Sequence, residues 1–285
     1  MPRVRAELVT AGEAFEDLIF YDLPRLPRPG EELKTSRFVR VPGGGAITTA
    51  VTAASLGVKT GVISAVSDLT RARLRSAGVA LRDLRKRGEP PAITVALSTR
   101  SERTFVTYNG VNDVLEARLL REVPRIQAPH VHCAFYPAHC RRWTAVVRGL
   151  RRRGHTISWD FGWNPPLNDD AAFVTLLGVL DVVFVNEAEA RLYSGLASTA
   201  AAFTWWQTTT RATVVKLGRR GALYLSKQAV LRAPARRVRA VDTTGAGDAF
   251  NGGYLAALIR GAEAGACLRA GNDAGARSTK KAGGS

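Results

Sequence analysis

The sequence contains only three cysteines, Cys133, Cys140 and Cys267, and no Cys-x-x-Cys pair. A sparse, odd number of cysteines excludes a disulfide scaffold and suits a reducing compartment. No apolar run approaches the roughly 18 residues of a membrane span. The first five residues are not followed by the apolar segment of a signal peptide. We therefore expect a cytoplasmic protein with no membrane partner.

Acidic residues are outnumbered in this chain, with 24 Asp and Glu against 41 Lys and Arg and a formal net charge of +17. A balance of this size can indicate a nucleic-acid partner. The arginines are spread through the chain, however, with local clusters only at residues 82–87 and 148–153. Attraction of anionic small molecules such as nucleotides is the favoured interpretation, and no nucleic-acid partner is expected.

Several common nucleotide-binding motifs are missing. The pattern G-x-x-x-x-G-K-[ST] does not occur, which excludes a P-loop NTPase. The H-R-D and D-F-G pair of protein kinases is also absent. Gly245 and Gly247 begin a G-x-G pattern, but Phe250 stands where a dinucleotide fingerprint has its third glycine.

Apolar runs and helical patterns alternate through the second half of the chain. We predict strands at residues 131–135, 156–161, 182–185 and 212–217, and helices at 141–153, 171–180 and from 187. This alternation favours a parallel sheet with helices on both faces. The β-rich runs 93–97 and 104–108 have no helix between them and predict a hairpin in a small separate sheet.

The most informative segment is Asp-Thr-Thr-Gly-Ala-Gly-Asp-Ala-Phe at residues 242–250. It follows a β-like run at 238–241 and precedes a predicted buried helix at 250–259. Its two glycines let backbone N–H groups point toward one place, and the helix N-terminus adds partial positive charge there. Asp248 stands beside them, so the segment suits a phosphoryl-transfer site. A lone G-x-G-D would equally suit an ordinary glycine turn.

The nine residues 242–250 match the C-terminal signature of the ribokinase-like (PfkB) carbohydrate kinase family, and the element order resembles that family from about Val4 to Gly284. The resemblance implies a three-layer α/β/α fold with a mainly parallel central sheet and a small β-sheet lid. It implies one domain over residues 1–285, with a lid formed by about 13–40 and 93–110. It also implies an ATP-dependent kinase for a hydroxymethyl group of a small sugar, and allows a homodimer through the lid.

The resemblance assigns roles to the residues of the signature. Asp248 would be the catalytic base that accepts the proton of the acceptor hydroxyl. The backbone N–H groups of Gly245, Ala246 and Gly247 would form the anion hole. Asp242 would contribute to a monovalent-cation site, for which K⁺ is the candidate.

A second motif, N-x-x-E at Asn186 and Glu189, follows the predicted strand 181–185. In the family this motif organises Mg²⁺ and the phosphates, often through water. Mg²⁺ prefers oxygen ligands and keeps several waters, so one amide and one carboxylate suffice. The alternative is a helix N-cap with acidic residues in the first turn.

The acceptor site is implied by Gly43 and Gly44, which resemble the family's N-terminal di-glycine, and by Asp17, which matches the acidic residue that binds acceptor hydroxyls. Thr48 stands where relatives usually carry Asn. A threonine keeps a hydroxyl but loses the paired donor and acceptor of an amide. This departure leaves the identity of the acceptor open.

The nucleotide site is implied by Lys216, Gly218 and Gly221, which resemble the family's K/T-x-G-x-x-G motif. Thr243 is also assigned to the nucleotide, and Asn272 matches a position that lines the adenine pocket. The expected cofactors are therefore ATP and Mg²⁺. Trp163 follows a predicted strand end, where α/β sheets bind ligands, and is a candidate to border the sugar.

Two departures keep alternatives open. Besides Thr48, the segment at residues 66–69 is shorter than the glycine-aspartate loop of relatives, which predicts altered packing or substrate access. A nucleoside kinase of the same family is one alternative, and a catalytically weak sugar- or nucleotide-binding relative is another. His130 and His132 match no zinc pattern, and packing is the favoured role for both.

Overall fold

Apolar residues occupy both faces of several strands, which is the requirement for a sheet covered by helices on both sides. The computed structural model describes residues 6–99, 103–239 and 242–280. The strands are β1 (Leu8–Gly12), β2 (Phe15–Leu23), β3 (Phe38–Gly43), β4 (Thr60–Ser64), β5 (Ala80–Asp83), β6 (Ile93–Thr99), β7 (Arg103–Tyr108), β8 (His130–Ala134), β9 (Thr156–Asp160), β10 (Val182–Asn186), β11 (Thr213–Lys216), β12 (Ala222–Leu225) and β13 (Val230–Ala233). The helices are α1 (Gly45–Ser55), α2 (Asp68–Ser76), α3 (Leu115–Glu122), α4 (Cys140–Arg152), α5 (Phe173–Val179), α6 (Glu187–Ser194), α7 (Thr199–Thr209), α8 (Ala246–Ile259) and α9 (Ala264–Ser278).

The large sheet has the strand order β13-β12-β11-β10-β9-β8-β1-β4-β5. From β11 to β5 every neighbouring pair is parallel. The antiparallel hairpin β12–β13 forms one edge. The mainly parallel sheet predicted from the alternation of elements is confirmed. Within the described ranges, no helix is long and apolar enough to cross a membrane.

Alternate residues of each central strand face opposite helical layers. Val183 and Val185 belong to the core that includes Trp159 and Trp206 under helices α3 to α7. Phe184, between the two valines, faces the other layer and packs edge to face on Tyr254 of α8 at 5.3 Å between ring centroids. The three-layer arrangement is therefore confirmed, and both layers hold the strand ends in fixed positions.

A small sheet of order β3-β2-β6-β7 stands beside the large one. Strand β1 continues through Glu13 and Ala14 directly into β2, so the small sheet begins where the large sheet ends. Asp17 on β2 lies between Val41 of β3 and Thr94 of β6 in the strand register. The hairpin predicted at residues 93–97 and 104–108 is observed as the antiparallel pair β6–β7. Its action as a lid stays a prediction.

The approach to the signature segment differs from the prediction. Residues 238 and 239 lie in no strand, and residues 240 and 241 lie outside the described residues. Strand β13 ends at Ala233 because the next residue, Pro234, has no N–H to donate to the ladder. The helix expected at 250–259 begins earlier, at Ala246, so Asp248 lies in its first turn.

Candidate active site

Polar residues gather at the carboxyl edge of the large sheet because parallel strands all end on one side. Gly12 at the end of β1 pairs with Ala134 at the end of β8, which pairs in turn with Asp160 at the end of β9. Asn186 at the end of β10 pairs with Lys216 at the end of β11. The register thus brings residues from five strands to one edge.

The N-terminus of α8 faces this edge. Gly245 precedes the helix in a left-handed conformation with φ of 69°, which a residue with a side chain rarely adopts. The amide of Ala246 donates to the carbonyl of Thr243 at 3.2 Å. Among the described residues, the amides of Gly245 and Gly247 have no partner. Two of the three N–H groups predicted for the anion hole are therefore available at a positive helix end.

Asp248 lies between the first turn of α8 and the start of α1. Its Oδ1 is 3.1 Å from the position that a Cβ would take at Gly45. The hydroxyl of Thr49 donates to its backbone carbonyl at 3.1 Å. Burial and the charge of Asp160 together raise the pKa of Asp248 to about 7, although the charge of Lys216 acts in the opposite direction. A carboxyl group with this pKa is close to the optimum for a general base at neutral pH.

An ion pair that the sequence analysis did not foresee lies under Asp248. The ammonium of Lys216 donates to Oδ2 of Asp160 at 2.6 Å, and the side-chain amide of Asn251 donates to the same oxygen at 2.7 Å. The two charged side chains are only 14% and 9% exposed. Burial acts to raise the pKa of Asp160, but the charge and hydrogen bond of Lys216 outweigh it, so the pKa lies below its usual value. Both groups are therefore charged.

Lys216 reaches the signature segment because Gly247 has no side chain. A Cβ at Gly247 would lie 3.3 Å from the ammonium nitrogen. The lysine assigned to the nucleotide therefore lies beside the proposed anion hole. Asp160 is the last residue of β9 and the next-to-last residue of the strand predicted at 156–161, and this position was the one available signal for its role. Trp163, singled out instead, is 58% exposed.

Asn186 and Glu189 form a capping box at the start of α6. The amide of Glu189 donates to Oδ1 of Asn186 at 2.9 Å, and the amide of Asn186 donates to Oε2 of Glu189 at 2.8 Å. Burial raises the pKa of Glu189, and the charge of Asp160 adds to the effect. The helix N-cap that the sequence allowed as an alternative is thus observed. The capping box holds the carboxylate of Glu189 near the charged side chains of Asp160 and Lys216.

This cluster offers oxygen ligands of the kind that Mg²⁺ prefers. The carboxylates of Asp160 and Glu189 are near Lys216, and the buried Oδ1 of Asn251 has no partner. In the described ranges, no three His, Cys, Asp or Glu side chains form a cluster that could hold a metal by themselves. An ion that keeps several waters and binds few protein groups fits this arrangement.

The acceptor residues predicted from the sequence meet at the junction of the two sheets. A Cβ at Gly43 would overlap the carboxylate of Asp17. Gly44 has φ of 102°, and a Cβ there would overlap the carbonyl of Glu13. Burial raises the pKa of Asp17 to about 6, with the charge of Asp242 adding to the effect. Thr48 lies against Gly245, with Oγ1 3.8 Å from the position of a Cβ there.

The variant Gly43→Ala is expected to raise KM for the acceptor at least about tenfold with little change in KM for ATP, because the added methyl group displaces the carboxylate of Asp17. Gly149→Ala is the control, since Gly149 has no left-handed φ and the nearest atoms to a Cβ there are two arginine nitrogens at 3.9 Å. Steady-state kinetics of both variants test this. Equal acceptor KM values in Gly43→Ala and the parent protein would contradict the placement of Asp17.

Three residues assigned to the nucleotide, Gly218, Gly221 and Asn272, shape the loops near β11 and β13. A Cβ at Gly221 would overlap the carbonyl of Ala233, so glycine is required for the approach of β13. The side chain of Asn272 donates to the carbonyls of Ala233 and Pro234, each at 3.1 Å. Gly218 has φ of 57° and begins a short turn after β11. These contacts fix the loops around the site.

Asp242 supports the turn that leads into α8. Its Oδ1 accepts hydrogen bonds from the amide of Thr244 at 2.9 Å and from its hydroxyl at 2.7 Å. Thr243 is exposed. The assignments of Asp242 to a cation and Thr243 to the nucleotide stay predictions.

The two strand histidines bind neighbouring hydroxyls. The ring nitrogens of His130 lie 2.7 Å from the hydroxyl of Thr156 and 2.8 Å from that of Ser158, and Nδ1 of His132 lies 2.9 Å from Ser158. Burial lowers the pKa of both rings, to about 3 for His130 and about 4 for His132. Neutral histidines in a hydrogen-bonded core are what the sequence analysis favours.

Known proteins resemble this chain over nearly its whole length. The family model described as pfkB family carbohydrate kinase matches residues 5–285. The chain is 28% identical over 259 residues to an ATP-dependent ribose-1-phosphate kinase of Halopiger xanaduensis, covering 88% of this chain and 85% of that protein. It is 25% identical over 296 residues to a ribokinase of Haemophilus influenzae, covering 98% and 94%. The adenosine kinase structure from Sinorhizobium meliloti has the same fold, with a TM-score of 0.79 at 21% identity and coverage of 98% and 95%.

Proposed function

Because the chain belongs to the pfkB family of carbohydrate kinases and is therefore a phosphotransferase, we propose that it transfers the γ-phosphoryl group of ATP to a hydroxymethyl group of a small sugar. The observation that carries this proposal is Asp248 in the first turn of α8, beside the unpartnered amides of Gly245 and Gly247. The names of the matched relatives, an ATP-dependent ribose-1-phosphate kinase and a ribokinase, support a kinase reaction on a ribose compound, and the first of them names ATP.

In the proposed reaction, the oxygen of the acceptor hydroxyl bonds to the γ-phosphorus of ATP. The bond from that phosphorus to ADP breaks, and Asp248 accepts the proton of the hydroxyl. The amides of Gly245 and Gly247, together with Ala246, stabilise the charge that develops on the phosphoryl oxygens. Removal of one such donor typically costs about 2.7–4 kcal/mol of transition-state stabilisation. Positioning and charge stabilisation supply most of the catalysis because the transition state of phosphoryl transfer is loose.

Mg²⁺ and K⁺ are the proposed ions. Asn186 and Glu189 would hold Mg²⁺ through water, and Asp160 supplies further negative charge beside them. When held there, Mg²⁺ would neutralise charge on the ATP phosphates. Asp242 is proposed for K⁺, next to the turn that its carboxylate stabilises.

The acceptor is proposed to bind at Asp17, Gly43, Gly44 and Thr48, with the small sheet closing over it as a lid. The carboxylate of Asp17 has no partner in the described part of the chain, so it is available to accept hydroxyl hydrogen bonds. The small sheet also exposes apolar side chains, among them Val106 at 67%. We propose that two copies pair through this face.

The test of the proposed function is ADP release with ATP and Mg²⁺ against a panel of sugars and nucleosides, with Asp248→Asn as the control. Turnover of a sugar that is lost in the control supports the proposal. Turnover of nucleosides alone would favour a nucleoside kinase. Saturable binding of a sugar or nucleotide without any turnover would identify a catalytically weak binding protein, and salt-sensitive binding to nucleic acid would contradict our interpretation of the charge.

The pH dependence of kcat/KM for the acceptor is expected to report the ionisation of Asp248. The base acts only when it is ionised, so activity should fall as the pH drops below about 7. Protonation of Asp17, with a pKa of about 6, should deepen the fall at lower pH. Initial rates at subsaturating acceptor measure this profile. A flat profile between about pH 5 and 8 would contradict Asp248 as the base.

A further inference from the structure

A cavity of about 210 Å³ lies between helices α1, α2, α8 and α9. Two arginines line it from different helices, Arg73 of α2 and Arg277 of α9. Among the described residues, no acidic side chain lines this cavity. Neither arginine has a role in the proposed reaction, so the cavity is a positively charged feature that the reaction does not explain.

Arg73 is half-buried and has no partner for its charge. Its guanidinium group forms no hydrogen bond and no ion pair with any residue in the described ranges. Other half-buried arginines of this chain do form ion pairs with carboxylates, namely Arg71, Arg85, Arg118 and Arg151. A partly buried charge without a partner is costly. We therefore expect Arg73 to meet an anion that the described part of the chain does not supply.

The other walls of the cavity add hydrogen-bond donors. Arg277 is exposed and likewise forms no ion pair with a described residue. Thr48 and Thr52 line the cavity from α1, on one face of that helix because they are four positions apart. Neither hydroxyl has a hydrogen-bond partner in the part of the chain that the structure describes. The cavity thus combines two unpaired arginines with two free hydroxyl groups.

This set of donors indicates the chemical class of the ligand. An arginine presents a planar fork of N–H groups that fits the oxygens of a phosphate, and two arginines balance the charge of a dianion. The volume of about 210 Å³ is below the roughly 300–1,000 Å³ of sites for drug-sized ligands. A small phosphate-type dianion therefore fits this cavity better than a whole nucleotide.

The cavity adjoins the proposed anion hole through α1 and α8. Ala249 of α8 lines the cavity directly after Asp248 in the chain. Thr48 also packs against Gly245, and the hydroxyl of Thr49 donates to the backbone carbonyl of Asp248 at 3.1 Å. An anion in the cavity would therefore connect α2 and α9 across the helix that packs on the first turn of α8.

We propose that Arg73 and Arg277 form a binding site for a small phosphate-type dianion, separate from the anion hole at Gly245 and Gly247. The guanidinium groups donate to phosphate oxygens, and the hydroxyls of the two cavity threonines donate to the oxygens that remain. Free inorganic phosphate and the phosphate ester of a small molecule present the same group. The site goes beyond the proposed function, because a phosphate bound here is not the group that is transferred.

Calorimetric titration of the full-length protein with inorganic phosphate tests this site. A saturating non-hydrolysable ATP analogue with Mg²⁺ is present, so that phosphate does not enter the anion hole. We expect saturable binding. Arg73→Gln and Arg277→Gln should each weaken it at least about tenfold, the loss for one hydrogen bond to a charged group, and the double variant at least about 100-fold.

The matched control is the double variant Arg75→Gln with Arg269→Gln. Both arginines are exposed on the same two helices and neither lines the cavity, so the control removes the same charge. Its phosphate affinity should stay within about twofold of the parent value. Absence of saturable binding by the parent, or equal affinities in the two double variants, would overturn the inference. These results do not depend on turnover, so the kinase function is tested independently.

A kinetic comparison identifies the source of the phosphate group. If an acceptor carries it, the parent should have a higher kcat/KM for ribose 1-phosphate than for ribose, and Arg73→Gln with Arg277→Gln should reduce this preference at least about tenfold. If free phosphate is the ligand, the double variant keeps the parent preference and loses phosphate affinity. Either result supports the site. A double variant that keeps both the phosphate affinity and the acceptor preference of the parent would overturn it.

Discussion

Asp248→Asn is expected to lower kcat by about 10²- to 10⁴-fold, the usual contribution of a positioned general base. The amide has nearly the shape of the carboxyl group but cannot accept the proton of the acceptor hydroxyl. Binding of ATP and acceptor should persist because Asp17 and the loops around the site are untouched. Single-turnover rates give the loss in the chemical step, and calorimetry gives the two affinities.

The same substitution should not destabilise the protein at pH 8. The pKa of Asp248 is raised in the folded state to about 7 from an ordinary 3.8. The raised pKa therefore costs folded-state stability, and the cost grows as the pH rises from about 3.8 to about 7, is complete at pH 8 and is absent below the unfolded pKa. Asp248→Asn removes the charge and should raise the free energy of unfolding at pH 8. A destabilised variant would mean that the lost activity reports misfolding, and wild-type kcat would contradict Asp248 as the base.

Lys216→Met is expected to lower both stability and activity. Removing one partner of a buried ion pair typically costs about 3–5 kcal/mol because the other charge is left uncompensated. Here Asp160 would keep only the hydrogen bonds from Asn251 and from the amide of Gly162, and no opposite charge. Activity should fall because the ammonium beside Gly247 is lost. The pH at which kcat/KM reaches half its maximum should rise, since Lys216 lowers the pKa of Asp248.

The double variant Asp160→Asn with Lys216→Met separates these two effects. It removes both charges, so most of the lost stability should return, while activity should stay low. Denaturant unfolding and ADP release measure the two quantities on the same samples. A Lys216→Met protein as stable and as active as the parent would contradict a role for this ion pair. Recovery of activity in the double variant would contradict a role for the ammonium in the reaction.

Features carried by local sequence could be predicted. The alternation of strands and helices indicated the parallel sheet, and the signature placed Asp248 at a helix N-terminus. Asn186 and Lys216 were found because each begins a short motif that resembles the family's and lies at a recognisable apolar strand. The start of α8 was placed too late because Gly245 and Gly247 disfavour helix, whereas a left-handed Gly245 begins the helix directly.

Features created by long-range contacts could not be predicted. The hydrogen bond between Asn251 and Asp160 joins residues 91 positions apart, and that between Lys216 and Asp160 spans 56 positions. Neither spacing has a local pattern, because the contacts depend on the strand order of the sheet.

The most direct test of the account is identification of the product. The protein is incubated with ATP, Mg²⁺ and the best acceptor from the panel of sugars and nucleosides, and the acceptor is analysed by mass spectrometry and phosphorus NMR. We predict an acceptor that carries one new phosphate ester on its hydroxymethyl oxygen, formed in equal amount with ADP and at least about 100-fold more slowly with Asp248→Asn. Release of inorganic phosphate without a phosphorylated acceptor, or unchanged product formation by Asp248→Asn, would contradict the account.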